Sequence, residues 1–188
     1  MKKAHTIIIL LLFISISTIQ AQTFTLNNDT SQLSWTGKAA FNSYSLTGTL
    51  ASDKGTLVIK DNVIESLEVK VDMKSLDHKN KRLKSHLRGK DFFEVKKYTT
   101  ATFTLDQPVA IVDGKAQLSG TFTIKNSSHQ EQMQVTILVK ENKVSLAFDT
   151  EIDRTKYGVK FNSPSFFKKM KENAIADLFV LKGNLHFQ

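Results

Sequence analysis

Apolar side chains recur at every second position through most of this chain. Leu33, Trp35, Gly37 and Ala39 alternate with polar neighbours, as do Leu67, Val69, Val71 and Met73, and Ala101, Phe103 and Leu105. The same rhythm returns at residues 116–124, 133–139, 144–152 and 179–187. Successive strand residues point to opposite faces of a sheet, so this spacing predicts half-buried antiparallel strands, each with one apolar side. Turn chemistry sits where the alternation stops: Ser52-Asp53-Lys54-Gly55, Lys60-Asp61-Asn62, Asp113-Gly114, Asn126-Ser127-Ser128 and Glu141-Asn142. With only Pro108 and Pro164 to interrupt pairing, about eight hairpin-linked strands predict an all-β barrel or sandwich.

Two stretches break the rhythm. Residues 77–88 are mostly charged, with Leu76, Leu83 and Leu87 spaced to share one side of a short helix over about 78–88, which Gly89 is expected to end. Residues 154–176 form a long excursion with Gly158, Pro164 and four aromatics. Its length predicts a lid-like segment, and its aromatics argue against disorder.

The N-terminus has a different character. Lys2 and Lys3 precede the run IIILLLFI at residues 7–14, followed by Ser15, Ser17, Thr18 and a small residue, Ala21. A positive start, an apolar stretch too short to span a bilayer and a small residue at the cut predict a signal peptide over 1–21 and one exported domain over 22–188. The destination is periplasmic or secreted, and nothing in 22–188 predicts stable membrane insertion. An uncleaved anchor is the other reading of the same stretch.

Composition removes several chemistries. The chain has no cysteine, which excludes disulfides, thiolate metal sites and cysteine nucleophiles. His78, His86, His129 and His186 lie in separate segments without metal-ligand spacing, and no serine sits in a nucleophile elbow. No metal, cofactor or catalytic residue is expected. The formal charge of +8 falls to +6 once Lys2 and Lys3 leave with the leader. Those charges are scattered, and the phenylalanines share parity with buried residues, so nucleic acid is not the expected partner.

What remains is the interior. A barrel of this size is filled by its own side chains, or holds one slender ligand where inward positions stay small. Trp35 stands with Gly37 and Ala39, Phe122 with Gly120 and Ala116, and Phe179 with Gly183. That mixture fits a tunnel, and it equally fits a filled, tapering core.

Longer motifs add a family likeness. Residues 84–103, with His86-Leu87, Lys90-Asp91-Phe92-Phe93, Lys97-Tyr98 and Ala101-Thr102-Phe103, resemble the HLxSxDFFxxxKYPxATF signature of the YceI-like polyisoprenoid and lipid-binding family. Gly120-Thr121-Phe122-Thr123-Ile124-Lys125 with His129 is similar to its GxLTIKGxTH hairpin. Ile152-Asp153-Arg154-Thr155-Lys156-Tyr157-Gly158-Val159 is similar to its IDRxxYGV segment, and Trp35-Thr36-Gly37 to its opening strand. The chain departs from the family where RDxHL becomes Leu83-Lys84-Ser85-His86-Leu87, where Thr99 replaces proline, and where Ser127 and Ser128 precede the hairpin histidine.

The resemblance implies a lipocalin-like extended antiparallel β-barrel with an elongated apolar pocket. The leading expectation is an exported, non-enzymatic protein that holds an isoprenoid, quinone or fatty-acid-like tail. Wall positions are expected at Trp35, Phe41, Leu46, Phe103, Phe122, Phe148 and Phe179, and mouth positions at Phe92, Phe93, Tyr157, Phe161, Phe166 and Phe167. His86, Arg88, Lys90, Arg154 and Lys156 are the candidates to meet a charged head group. The rivals are a filled-barrel interaction or stress-response protein and an enzyme acting on an isoprenoid-like lipid. An unpaired edge strand would also permit a homodimer.

Overall fold

The structure is a computed structural model that describes residues 20–167 and 172–188; residues 1–19, most of the expected leader, lie outside it. Ten strands follow in chain order among the described residues: β1 (Gln22–Thr25), β2 (Gln32–Ala39), β3 (Ser45–Lys60), β4 (Val63–Asp77), β5 (Thr100–Leu105), β6 (Val109–Ala110), β7 (Lys115–Ile124), β8 (Ser127–Lys140), β9 (Lys143–Asp153) and β10 (Ile175–Phe187). One helix, α1 (Lys81–Leu87), lies between β4 and β5, and a 3-10 turn, Arg154–Tyr157, follows β9.

Eight strands close into a barrel. The order β2-β3-β4-β5-β7-β8-β9-β10 is antiparallel throughout, and β10 returns to β2 with Leu181 opposite Trp35 and Gly183 opposite Leu33. That last pairing decides for a barrel over a sandwich. Open strand sides remain among the described residues on the short β1 and β6 and on β8 before Val135, where its pairing with β9 begins.

The two-residue turns follow the chemistry of their sequences. Asp61-Asn62, Asp113-Gly114 and Lys125-Asn126 each hold two consecutive positive φ angles, the form whose twist matches paired strands; the last falls one residue earlier than expected, since Ser127 and Ser128 already belong to β8. Ser52-Asp53-Lys54-Gly55 is not a turn: β3 runs straight through it, with a register shift against β4 between Ser52 and Lys54. The polar residues there serve a bulge. Ser52 Oγ donates to Asn28 Oδ1 at 2.8 Å, and the Asn28 amide donates to the Asp53 carbonyl at 2.6 Å.

The helix is shorter than its sequence suggested. Asp77 still belongs to β4, and Asn80 caps α1 by accepting from the Arg82 and Leu83 amides. It ends on Arg88 in a right-handed conformation, and Gly89 does not take the left-handed C-terminal role.

Inward residues fill one end of the barrel. Phe24, Leu57, Ile64, Leu118, Val144 and Phe187 pack there with almost no exposure, and β1 lies along β3 to close that end. The opposite end carries the β2–β3 loop, α1 with the segment up to Tyr98, and the described parts of the β9–β10 connection, 154–167 and 172–174. These are called the closed and open ends below.

Three inward glycines make room for rings rather than for empty space. A Cβ on Gly120 would sit 2.3 Å from the Phe103 ring, and one on Gly183 2.3 Å from the Phe148 ring. On Gly48 it would meet the Asp77 carbonyl oxygen at 2.1 Å and the Trp35 ring at 2.4 Å, whereas on Gly37 nothing lies nearer than 3.9 Å. Gly48→Ala is therefore expected to cost about 3 kcal/mol, because a backbone carbonyl cannot step aside. Gly37→Ala should fall within about 1 kcal/mol of wild type. Urea unfolding midpoints of the two variants check the contrast.

Candidate ligand-binding site

Beyond the packed end the inward side chains stop meeting. They leave a cavity of about 420 Å³ that reaches the open end. Its wall is made by the alternating positions of every barrel strand, among them Leu33, Leu67, Val69, Met73, Ala101, Met133, Leu146 and Leu181. Besides the Trp35 indole N–H, which is buried without a partner, the groups able to hydrogen-bond are few: Lys38, Asn42, Tyr44, Thr102, Arg154, Glu172 and Asn173. Apart from Thr102 and Arg154 these are exposed and form a rim on one side of the opening.

The expected wall residues divide cleanly. Trp35, Leu46, Phe103, Phe122, Phe148 and Phe179 line the cavity, as do Phe92 and Phe93 near its opening. Both phenylalanines are set by a tight run of turns after α1, in which the Phe93 amide donates to the Leu87 carbonyl and the Val95 amide to the Arg88 carbonyl. Lys125 Nζ donates to the Phe92 carbonyl at 2.6 Å and ties this run to the β7–β8 turn. Leu83 and Leu87, on the inner side of α1, complete that side of the chamber.

Five aromatics expected at the wall or mouth do not reach the cavity. Phe41 sits at the tip of the β2–β3 loop, beyond the alternation, and is 65% exposed. Tyr157 is carried by the 3-10 turn to the outside of β8, where it is buried and its hydroxyl donates to Glu131 Oε1 at 3.2 Å. Burial and the Glu131 carboxylate hold its ionisation well above the usual tyrosine range. Phe161 stands behind the wall, with ring centroids 5.3 Å from Phe92 and 4.7 Å from His86. Phe166 and Phe167 point outward and are each 49% exposed.

The cationic candidates move as well. His86 is wedged between Phe92 and Phe161, off the cavity surface. Arg88 donates to the Leu76 carbonyl at 3.0 Å and to the Lys74 carbonyl, so its guanidinium belongs to the β4 backbone. Lys90 is exposed away from the cavity, and Lys156 pairs with Glu131 at 2.9 Å on the outer surface. Arg154 alone lines the chamber, and its donors are already engaged. Nε donates to the Ala176 carbonyl at 3.0 Å, Nη1 to Val159 at 2.8 Å and Phe161 at 3.0 Å, and Nη2 to Ile175 at 2.9 Å. Burial pulls its pKa down, against the pull of Asp177 and Asp153. It is a clasp for the excursion. That excursion is also less lid-like than its length suggested, since Tyr157, Val159 and Ser163 within it are fully buried.

The rim at Asn42, Tyr44, Glu172 and Asn173 was missed by sequence reasoning, for no periodicity extends into loops. No group of three or more potential metal ligands exists among the described residues, and no helix there is long and apolar enough to cross a membrane.

A closed eight-stranded antiparallel barrel with an apolar chamber open at one end is the lipocalin-like architecture. The YceI-like domain model matches residues 24–187, and the chain belongs to that family. A search of the curated proteins found no match. Among solved structures, the fold is similar to BcnA from Burkholderia cenocepacia, with 20% identity over 86% of this chain and 98% of that one and a TM-score of 0.69. It is similar also to a polyisoprenoid binding domain from Saccharophagus degradans implicated in plant cell wall breakdown, with 14% identity, coverage of 88% and 97%, and a TM-score of 0.66. The Campylobacter jejuni YCEI protein gives 17% identity, coverage of 99% and 97%, and a TM-score of 0.55. At these identities the likeness is one of fold.

Proposed function

We propose that this is an exported, non-enzymatic binding protein that holds one long apolar tail, of isoprenoid, quinone or fatty-acid type, inside the open half of the barrel. The observation that carries this reading is the chamber: about 420 Å³, within the range of small-molecule sites, and walled almost wholly by carbon. The polyisoprenoid binding named for the Saccharophagus degradans domain supports the same class of ligand. Wall residues Trp35, Leu46, Phe103, Phe122, Phe148 and Phe179, with Phe92 and Phe93, would then touch the tail. The buried lining cation, Arg154, is already engaged and the unpaired Trp35 N–H is neutral, so a charged head would stay at the rim, beside Lys38, Asn42, Tyr44 and Asn173.

Tail length should decide affinity. A tail of about fifteen carbons gains on the order of 12 kcal/mol at about 0.8 kcal/mol per buried methylene, against an association cost of about 4–15 kcal/mol. Each methylene removed is expected to weaken binding roughly fourfold. The chain has one tryptophan, and it lines the chamber, so Trp35 fluorescence reads occupancy directly. Titration with brominated fatty acids of increasing length should quench Trp35 with that progression. No quenching at any length, together with no lipid in an organic extract of the purified protein, would falsify the proposal.

A further inference from the structure

We propose that the open end of the barrel docks on anionic bilayer surfaces, seating exposed aromatics among the lipid head groups while a basic flank meets their charge. This rests on the chamber being a lipid site and adds where the cargo is exchanged.

Three observations point the same way. The exposed aromatics Phe41, Tyr44, Phe166 and Phe167 all lie on open-end connections, and the described residues of the closed end expose none. Aromatic rings with a polar edge or a nearby cation favour the membrane interface, and Lys160 Nζ sits 4.4 Å from the Phe166 centroid. Tyr44 is at once 63% exposed and part of the chamber lining, so the aromatic surface runs into the cavity without a break.

Charge is divided along the barrel axis. Between His78 and Tyr98, at the open end, eight lysines and arginines stand against Asp91 and Glu94; Lys84 pairs with Asp77 at 2.8 Å and Arg88 with β4 carbonyls, while Lys79, Lys81, Arg82, Lys90, Lys96 and Lys97 are exposed. The closed end exposes Asp29, Asp61, Glu65, Asp106, Asp113 and Glu141 against Lys60, Lys115, Lys140 and Lys143, so cations are in excess at the open end only. Lys81 and Arg82 occupy the first turn of α1, where the helix dipole favours carboxylates and none is present. Helix stability therefore does not account for them. A negative surface does, because clustered cations near an anionic leaflet each strengthen binding.

The test is flotation of the purified protein with vesicles of phosphatidylcholine alone and of phosphatidylcholine mixed with phosphatidylglycerol, at low and high salt. Binding is expected only to the mixed vesicles and should fall steeply with salt. The charge-reversed variant Lys79→Glu/Lys81→Glu/Arg82→Glu should lose at least about a hundredfold in vesicle affinity, at roughly fivefold or more per cation. The variant Phe41→Ser/Phe166→Ser/Phe167→Ser should lose at least about tenfold, while Val112→Ser at the closed end should lose nothing. None of the substituted residues lines the chamber, so uptake of a brominated fatty acid from a cyclodextrin, read at Trp35, is expected to stay at the wild-type level in all three variants. Vesicle binding that is absent, insensitive to salt or unchanged in the first two variants overturns the docking proposal even if cyclodextrin uptake persists. Loss of that uptake in wild type overturns the ligand proposal instead.

Discussion

Arg154→Ala is expected to cost about 3–5 kcal/mol, a large share of the stability of a domain of this size. The side chain is 4% exposed and donates to the carbonyls of Val159, Phe161, Ile175 and Ala176. Those carbonyls come from two parts of the 154–176 excursion, so one planar guanidinium joins its beginning to its return. Removing it leaves four acceptors without that partner and Asp177 without the cation 3.7 Å away, in a site that water reaches poorly. Arg154→Lys should recover little, because a single ammonium cannot hold the spread of four acceptors that a guanidinium fork spans. Chemical denaturation of both variants beside wild type measures the loss. A cost below about 1 kcal/mol for Arg154→Ala would mean that the excursion is held by packing alone. The expected defect is local before it is global: hydrogen exchange should rise first in residues 158–163 and 174–177.

Arg154 also shows where reading the sequence stopped. A cation in a loop beside aromatics is a reasonable partner for a phosphate, and nothing in the linear order reveals that four carbonyls surround it once the loop folds back. The strands were legible because burial on one face forces a period of two, and Trp35, Phe103, Phe122, Phe148 and Phe179 follow from that parity. The bulge at Ser52-Asp53-Lys54-Gly55 was not legible, since the residues of a bulge and of a turn are the same and only pairing with β4 tells them apart. Small inward residues proved ambiguous for a related reason. Gly120 and Gly183 are filled by Phe103 and Phe148 from neighbouring strands, whereas Gly37 faces open room, and a sequence does not record which ring crosses which glycine. The rim is set by loops, whose side chains obey no period, so Asn42 and Tyr44 gave no signal while Phe41 beside them gave a misleading one.

Filling the chamber should abolish uptake without harming the fold. Ala101 is on β5, opposite Val71, and its side chain borders the cavity. Ala101→Phe adds a ring to space that no side chain occupies. If that ring displaces about four methylenes of the tail, the loss is about 3 kcal/mol, or on the order of a hundredfold in affinity for a brominated fatty acid. Unlike the crowded Gly48, the site has room, so thermal stability is expected to hold or rise as the new ring gains contacts that the empty chamber lacks. Val71→Trp, on the facing position of β4, should act in the same direction and guards against a ring that turns aside. The pairing of the two readouts is what discriminates. A binding protein that works through its lumen must lose uptake as its melting temperature holds, whereas one that works through its outer surface would keep every activity with the chamber plugged. Wild-type uptake by both variants would therefore remove the lumen from the function altogether, and the exposed loops of the open end would inherit it.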